Sequence, residues 1–388
     1  MVTYLDYAAT TPMYPEVAAA MLPFQAGTFG NPSGAHAAAR AAKTALEEAR
    51  ERIAGALGAG PAEIVVTGGG TEADNLAVKG AARAARAAGA GDGVVTTAFE
   101  HKGVLAPSER LEREGFRVSR VPVDGGGILD LDALEGALDE RTVVVSVMLV
   151  NNEVGTIQPL EAVAELVRAR APRAVLHTDA VQAVPWLDVA AAAAPADLVS
   201  VSAHKFGGPK GVGTLVRRRE TPLEPLIEGG GQEWGLRSGT ADVAGATGMA
   251  EALRITTERR GGEVARIAPL RDRLVAGLAA RVPGCFVNGN PERKVAGNCH
   301  VGFQGVEAET LLVALDRDGV CAAAGSSCTS GATEPSHVLA AMGLPRDAAL
   351  ASIRLSLGYA STDTDVDTTL DVIPRAVERL RPAVTASR

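Results

Sequence analysis

Thr142-Val-Val-Val-Ser-Val-Met-Leu-Val150, followed at once by Asn151-Asn152, is the stretch that decides the fold. Its near-continuous apolar character is what a strand covered on both faces requires, because a strand with one wet face would alternate instead. Short β-rich runs bounded by polar or glycine residues recur on either side of it, at residues 63–67, 93–98, 116–123, 174–178, 197–201 and 213–217. Residues 40–57 and 71–88 read as helices between or before them. This alternation, from about Pro15 to Arg260, predicts an α/β domain on a mostly parallel, seven-stranded sheet. Beyond Arg260 the pattern changes to an amphipathic helix over 263–281, then short strands and further helices. A large domain over 15–260 and a smaller α+β domain from 1–14 and 261–388 are therefore expected.

Composition narrows the function. The chain has 388 residues, 46% of them hydrophobic and 22% charged, an ordinary globular balance. No apolar run reaches the ~18 residues of a membrane helix, and the opening Met-Val-Thr-Tyr-Leu-Asp-Tyr lacks a signal peptide's basic start, so a cytoplasmic location is expected. The net charge of −8, from 38 Lys+Arg against 46 Asp+Glu without a long basic block, argues against direct binding to nucleic acid or an anionic membrane. The four cysteines, Cys285, Cys299, Cys321 and Cys328, show no C-x-x-C spacing. Neither a zinc knuckle nor a disulfide framework is indicated, and no metal is expected.

Polar residues cluster just past the carboxyl ends of the expected strands, the edge where open α/β sheets bind ligands. Gly68-Gly69-Gly70-Thr71 reads equally as a phosphate cradle or as a turn with Thr71 and Asp74 as a capping pair. It is neither a Walker A loop nor a dinucleotide fingerprint. Ser202-Ala203-His204-Lys205 follows a strand, so Lys205 stands where a lysine can be partly desolvated and form a Schiff base with a carbonyl cofactor. Lys210, among glycines and a proline, reads as solvated. Asp179, one strand away, suits the counter-ion of a pyridinium nitrogen. Cradle, lysine and aspartate together describe pyridoxal phosphate (PLP) better than any nucleotide. Cys328, within Gly325-Ser-Ser-Cys-Thr-Ser-Gly331, has no large apolar neighbour to pin it inside. It reads as a mobile, exposed nucleophile, the alternative being an incidental surface thiol.

The motifs Tyr4-Leu-Asp-Tyr-Ala-Ala-Thr-Thr-Pro12, Phe29-Gly-Asn-Pro-Ser33, Gly69-Gly-Thr-Glu-Ala-Asp-Asn75, Glu100-His-Lys102, Val150-Asn-Asn-Glu-Val-Gly155, Ser202 to Lys205, Gly229 to Gly231, Arg237-Ser-Gly-Thr240, the Cys328 loop and Ser352-Ile-Arg-Leu-Ser356 run nearly the whole chain in order. With them the sequence resembles the PLP-dependent cysteine desulfurases, the NifS/IscS-like members of the class V aminotransferase family. The resemblance implies a fold-type I PLP-dependent transferase that acts as a homodimer, takes sulfur from L-cysteine and releases L-alanine. It implies that Lys205 carries the cofactor, that Asp179 faces the ring nitrogen, that Gln182 bonds the ring oxygen and that His101 stacks on the ring and moves protons. Gly70, Thr71, Ser202 and His204 are implied at the phosphate, with Thr240 reaching in from the second subunit. Arg354, Asn152 and Asn31 are implied to hold the substrate carboxylate, a task suited to a guanidinium fork. Cys328 is implied to receive the sulfur as a persulfide and pass it to a protein acceptor, an iron–sulfur scaffold or a thiolation enzyme. The Gly-Ser-Ser-Cys-Thr-Ser form resembles the long-loop group of the family. Two features depart from the pattern. Cys321 lies seven residues before Cys328, and only residues 382–388 follow the expected last helix over 365–381, where iron–sulfur members carry a longer tail. The rival readings are a selenocysteine lyase or another class V PLP enzyme, and a non-catalytic assembly partner; the cysteine loop opposes the first, and Lys205, Asp179 and His101 oppose the second.

Overall fold

The computed structural model describes residues 2–325 and 334–381, so Cys328 and residues 382–388 lie outside the described residues. The chain opens with a two-residue strand, β1 (Thr3–Tyr4). Seven strands then build the main sheet: β2 (Ile64–Thr67), β3 (Gly93–Thr97), β4 (Arg117–Val121), β5 (Thr142–Ser146), β6 (Val175–Asp179), β7 (Leu198–Ser202) and β8 (Gly213–Arg217). Their order is β2-β8-β7-β6-β5-β3-β4. All neighbours are parallel except β8, which runs antiparallel to both β2 and β7. The mostly parallel seven-stranded sheet expected from sequence is the one observed.

Successive residues show why these strands are apolar throughout. Val144, Leu198 and Leu215 pack in one hydrophobic cluster with Leu76 and Leu111, while their neighbours Val145, Val199 and Val216 pack in another with Ile53 and Leu253. Side chains alternate across a strand, so a sheet with helices on both faces demands apolar residues at every position. The opening run is strand only to Ser146. Val147 and Leu149 still donate backbone hydrogen bonds to His177 and Asp179 on β6, and Val147 to Val150 are all buried. This irregular continuation carries the chain toward Asn151 and Asn152.

A second, three-stranded antiparallel sheet joins β9 (Cys285–Val287), β10 (Asn298–Phe303) and β12 (Ser352–Ser356), with β10 central. β11 (Val320–Cys321) pairs in parallel with β1. The helix expected over 263–281 is instead the end of one continuous helix, Val243–Arg281, of 39 residues. Its first half buries Met249 and Leu253 against the main-sheet core, and its second half buries Ile267, Leu270 and Leu274 against the smaller sheet. Gly261 and Gly262 lie inside it, where each costs up to about 1 kcal/mol relative to alanine. Burial on both sides outweighs that penalty, so the change of pattern near Arg260 is not a chain break. The helix also contradicts the capping pair at Thr71: the helix Gly70–Asn75 begins after Gly69, whose φ of 143° only glycine adopts readily.

Candidate active site

The carboxyl ends of β2, β6 and β7 open on one cavity of about 240 Å³. Lys205 reaches it from the short turn after β7 and Asp179 from the last position of β6. Lys205 Nζ donates to the carbonyl oxygens of Ala8 at 2.6 Å and Ala9 at 2.9 Å. The Ala8 carbonyl also accepts from Gln182 Nε2 at 2.8 Å. The N-terminal segment is thus a wall of the site. Lys210, by contrast, is exposed.

Asp179 Oδ1 accepts from the Val181 backbone at 2.8 Å. Burial pushes this carboxyl up to about 6, while that bond and the Lys205 charge pull it back. His101 caps the helix Lys102–Arg113, its Nδ1 accepting from the Gly103 backbone at 2.9 Å. An accepting Nδ1 places the ring hydrogen on Nε2. Burial first, then Lys205, His337 and Lys102, holds this imidazole down to about 4, so it is neutral at physiological pH. His204 is likewise lowered to about 4, by burial and then by Lys205 and Lys210, with Thr10 Oγ1 at 3.2 Å from its Nδ1.

Gly70, Thr71, Ser202 and His204 line the end of the cavity where the glycine turn meets β7. Gly70 has to be glycine: a Cβ there would lie 2.8 Å from Val181 Cγ2 and 3.3 Å from Ser202 Cβ. At another wall stands Arg354, from the middle of β12 and 1% exposed. As an isolated strand arginine it would be a surface charge; the fold buries it. Nη1 donates to the Asn152 carbonyl at 2.8 Å and Nη2 to Asp6 Oδ1 at 2.9 Å. Its Nε and Asn152 Oδ1 are buried without a hydrogen-bond partner among the described residues. Asn31 and Thr240 are exposed and do not line the cavity within this single chain.

Three buried groups beside the site went unrecognised in the sequence. Asp74 is 1% exposed, and one of its carboxyl oxygens, one of Asp179 and a ring nitrogen of His101 lie within 4.8 Å of one another. His177 lies between Ser146 Oγ at 2.8 Å and Ser200 Oγ at 3.0 Å, and burial lowers it to about 3. Glu100 is fully buried and raised to about 8, chiefly by burial. The signal for His177 was its position two residues before Asp179 on one strand, which puts both on the same face. Asp74 gave none beyond its place in the glycine-turn motif.

With this geometry the chain matches the family model described as aminotransferase class-V over residues 3–369. It is 46% identical over 389 residues to an IscS-like cysteine desulfurase of Mycobacterium tuberculosis, covering 99% of this chain and 98% of that one. The chain belongs to the cysteine desulfurases of the class V aminotransferase family. Among solved structures it is similar to a NifS-like protein, with a TM-score of 0.92, 37% identity and coverage of 98% of this chain and 100% of that one. It is also similar to SspA, solved in complex with cysteine, at a TM-score of 0.80, 33% identity, 91% of this chain and 98% of that one. The family is PLP-dependent. Among the described residues no helix is long and apolar enough to cross a membrane.

Proposed function

We propose that this enzyme uses PLP to take sulfur from L-cysteine, leaving it as a persulfide on Cys328 and releasing L-alanine. The observation that carries the reading is the meeting of Lys205, Asp179 and Arg354 on one cavity, with Asn152 Oδ1 and Arg354 Nε buried and unpartnered beside it. Orphaned donors and acceptors at such depth are costly unless a ligand satisfies them. The donor set fits the cofactor: a half-buried amine at Lys205, a buried carboxylate at Asp179 for the ring nitrogen, and a turn at Gly70, Thr71, Ser202 and His204 with no room for an extra Cβ at Gly70. Bound PLP supplies a sink for the electron pair left when the substrate Cα loses its proton.

The protein's own groups supply the rest. Lys205 Nζ is the base for the Cα proton, and the carbonyls of Ala8 and Ala9 orient it toward the cavity. Neutral His101 holds its hydrogen on Nε2, where it can be exchanged with the substrate. Arg354, with Asn152 and Asn31, grips the substrate carboxylate, and Gln182 bonds the cofactor's ring oxygen. Thr240, exposed in its own chain, contributes to the phosphate site of the second subunit of a homodimer. The Cys328 thiolate then bonds to the substrate sulfur. The carbon–sulfur bond breaks, its electron pair stays on the substrate carbon, and that carbon takes a proton to become the methyl group of alanine. The sulfur moves on to a protein acceptor, an iron–sulfur scaffold or a thiolation enzyme, in the cytoplasm. Incubating the purified protein with L-cysteine, with and without reductant, and measuring alanine and sulfide together tests this. Alanine without reductant-dependent sulfide would refute the persulfide, and no alanine would refute the reaction.

A further inference from the structure

Asp74, Glu100 and His177 are buried beside the cavity, and the reaction as proposed uses none of them. His177 spends both ring nitrogens on serine hydroxyls. Glu100 Oε1 accepts from Thr97 Oγ1 at 2.9 Å and from the Met148 backbone at 2.8 Å, while its Oε2 has no hydrogen-bond partner among the described residues. Asp74 projects from the helix Gly70–Asn75, the first after the glycine turn, and its Oδ1 also has no hydrogen-bond partner among the described residues. That oxygen lies 3.7 Å from His177 Nε2. The carboxyl comes within 4.8 Å of both Asp179 and His101.

Two buried carboxyl groups this close disfavour each other's ionisation, so one of them is pushed to keep its proton. The charges around them decide which one keeps its proton. Lys205 draws negative charge onto Asp179, and the Val181 backbone hydrogen bond favours the same anion. Asp74 has no cation of its own: His177 and His101 are held neutral by burial, and burial first and then Asp179 raise its carboxyl, against a hydrogen bond from Ser200 that lowers it. The proton of the pair therefore belongs to Asp74.

We propose that Asp74 is a positioning residue for Asp179: a neutral carboxylic acid whose hydrogen keeps the pair's single negative charge on Asp179, facing the pyridine ring of the cofactor. This rests on the reading of Asp179 as the partner of the ring nitrogen. A donor beside an anion stabilises it, so Asp179 stays charged at neutral pH despite its burial. An ionised Asp74 would do the reverse, forcing the proton onto Asp179 and removing the counter-ion.

Apoprotein variants separate these cases. Asp74→Asn keeps a donor that cannot ionise; Asp74→Ala removes the donor. Wild type and Asp74→Asn are expected to bind added PLP with affinities within about threefold of each other, and Asp74→Ala on the order of tenfold more weakly, the equivalent of about one pKa unit on Asp179. The low-pH limit of PLP binding should move upward by about one unit in the alanine variant alone, the same tenfold expressed in proton concentration. Infrared difference spectra at neutral pH, wild-type apoprotein minus Asp74→Asn, should show a protonated-carboxyl stretch. An asparagine variant that binds PLP as weakly as the alanine one, an alanine variant with an unmoved pH limit, or no protonated-carboxyl band would overturn the assignment. Should the alanine variant fail to fold, the asparagine variant and the infrared band decide alone. If wild-type apoprotein takes up no PLP, it is the cofactor reading that fails instead.

Discussion

Arg354 and Asp6, 348 residues apart in sequence, form an ion pair of 2.9 Å in which the arginine side chain is only 2% exposed. The pair ties the middle of β12, in the smaller sheet, to the N-terminal segment whose next residues hold Lys205. Two arginine nitrogens are fixed by Asp6 and Asn152, and the third, Nε, has no hydrogen-bond partner among the described residues. Arg354→Lys keeps the charge and loses the planar fork. It is expected to raise KM for L-cysteine roughly ten- to a hundredfold, the worth of one or two hydrogen bonds to a charged group. The absorbance of bound PLP should stay unchanged. An unaltered KM would remove Arg354 from the substrate site.

Lys205 and Lys210 are five residues apart, yet one is in the cavity and the other in solvent. Borohydride reduction of the PLP-loaded protein should fix the pyridoxyl group to Lys205 alone, as read by peptide mass spectrometry. Label on Lys210, or on neither, would contradict the role given to Lys205.

Cys328→Ala should separate binding from sulfur transfer. Lys205, Asp179 and Arg354 remain, so adding L-cysteine should still change the spectrum of the bound cofactor. No group is left to take the substrate sulfur, and alanine formation should fall to background. Near-normal alanine release would show that sulfur leaves without a bond to Cys328.

Glu100 ties stability to pH. Its carboxyl is raised from the ordinary 4.5 to about 8, so the folded protein binds this proton more tightly than the unfolded chain does. The associated stability is present below about 4.5 and is lost as pH rises through about 8. Glu100→Gln carries no titrating proton. Its denaturation midpoint relative to wild type should therefore climb between pH 5 and pH 8, measured by denaturant titration at each pH. A constant difference would mean Glu100 is not protonated in the fold. His177, lowered to about 3, has the opposite sign: its contribution is lost as pH falls below the ordinary histidine range.

The run beginning at Thr142 was enough to announce a strand buried on both faces, because local apolarity without alternation has few other uses in an α/β chain. Lys205, Asp179 and His101 were legible for a related reason: the edge past the strand ends is fixed by the alternation of elements, and so is the list of polar residues along it. Other properties lay beyond any local pattern. The helix Val243–Arg281 runs straight through the place near Arg260 where the sequence pattern changes, since packing against two separate cores outweighs the low helix propensity of Gly261 and Gly262. Arg354 looks like a surface charge until Asp6 and Asn152 arrive from distant parts of the chain. Asp74 looks like half of a capping pair until β6 brings Asp179 beside it. The sequence by itself determined which chemical groups this protein owns and the order of the strands that present them. The tertiary structure alone decided which of those groups lose their water, and so which carboxyl, imidazole or guanidinium keeps its ordinary charge, because desolvation is set by contacts between segments hundreds of residues apart.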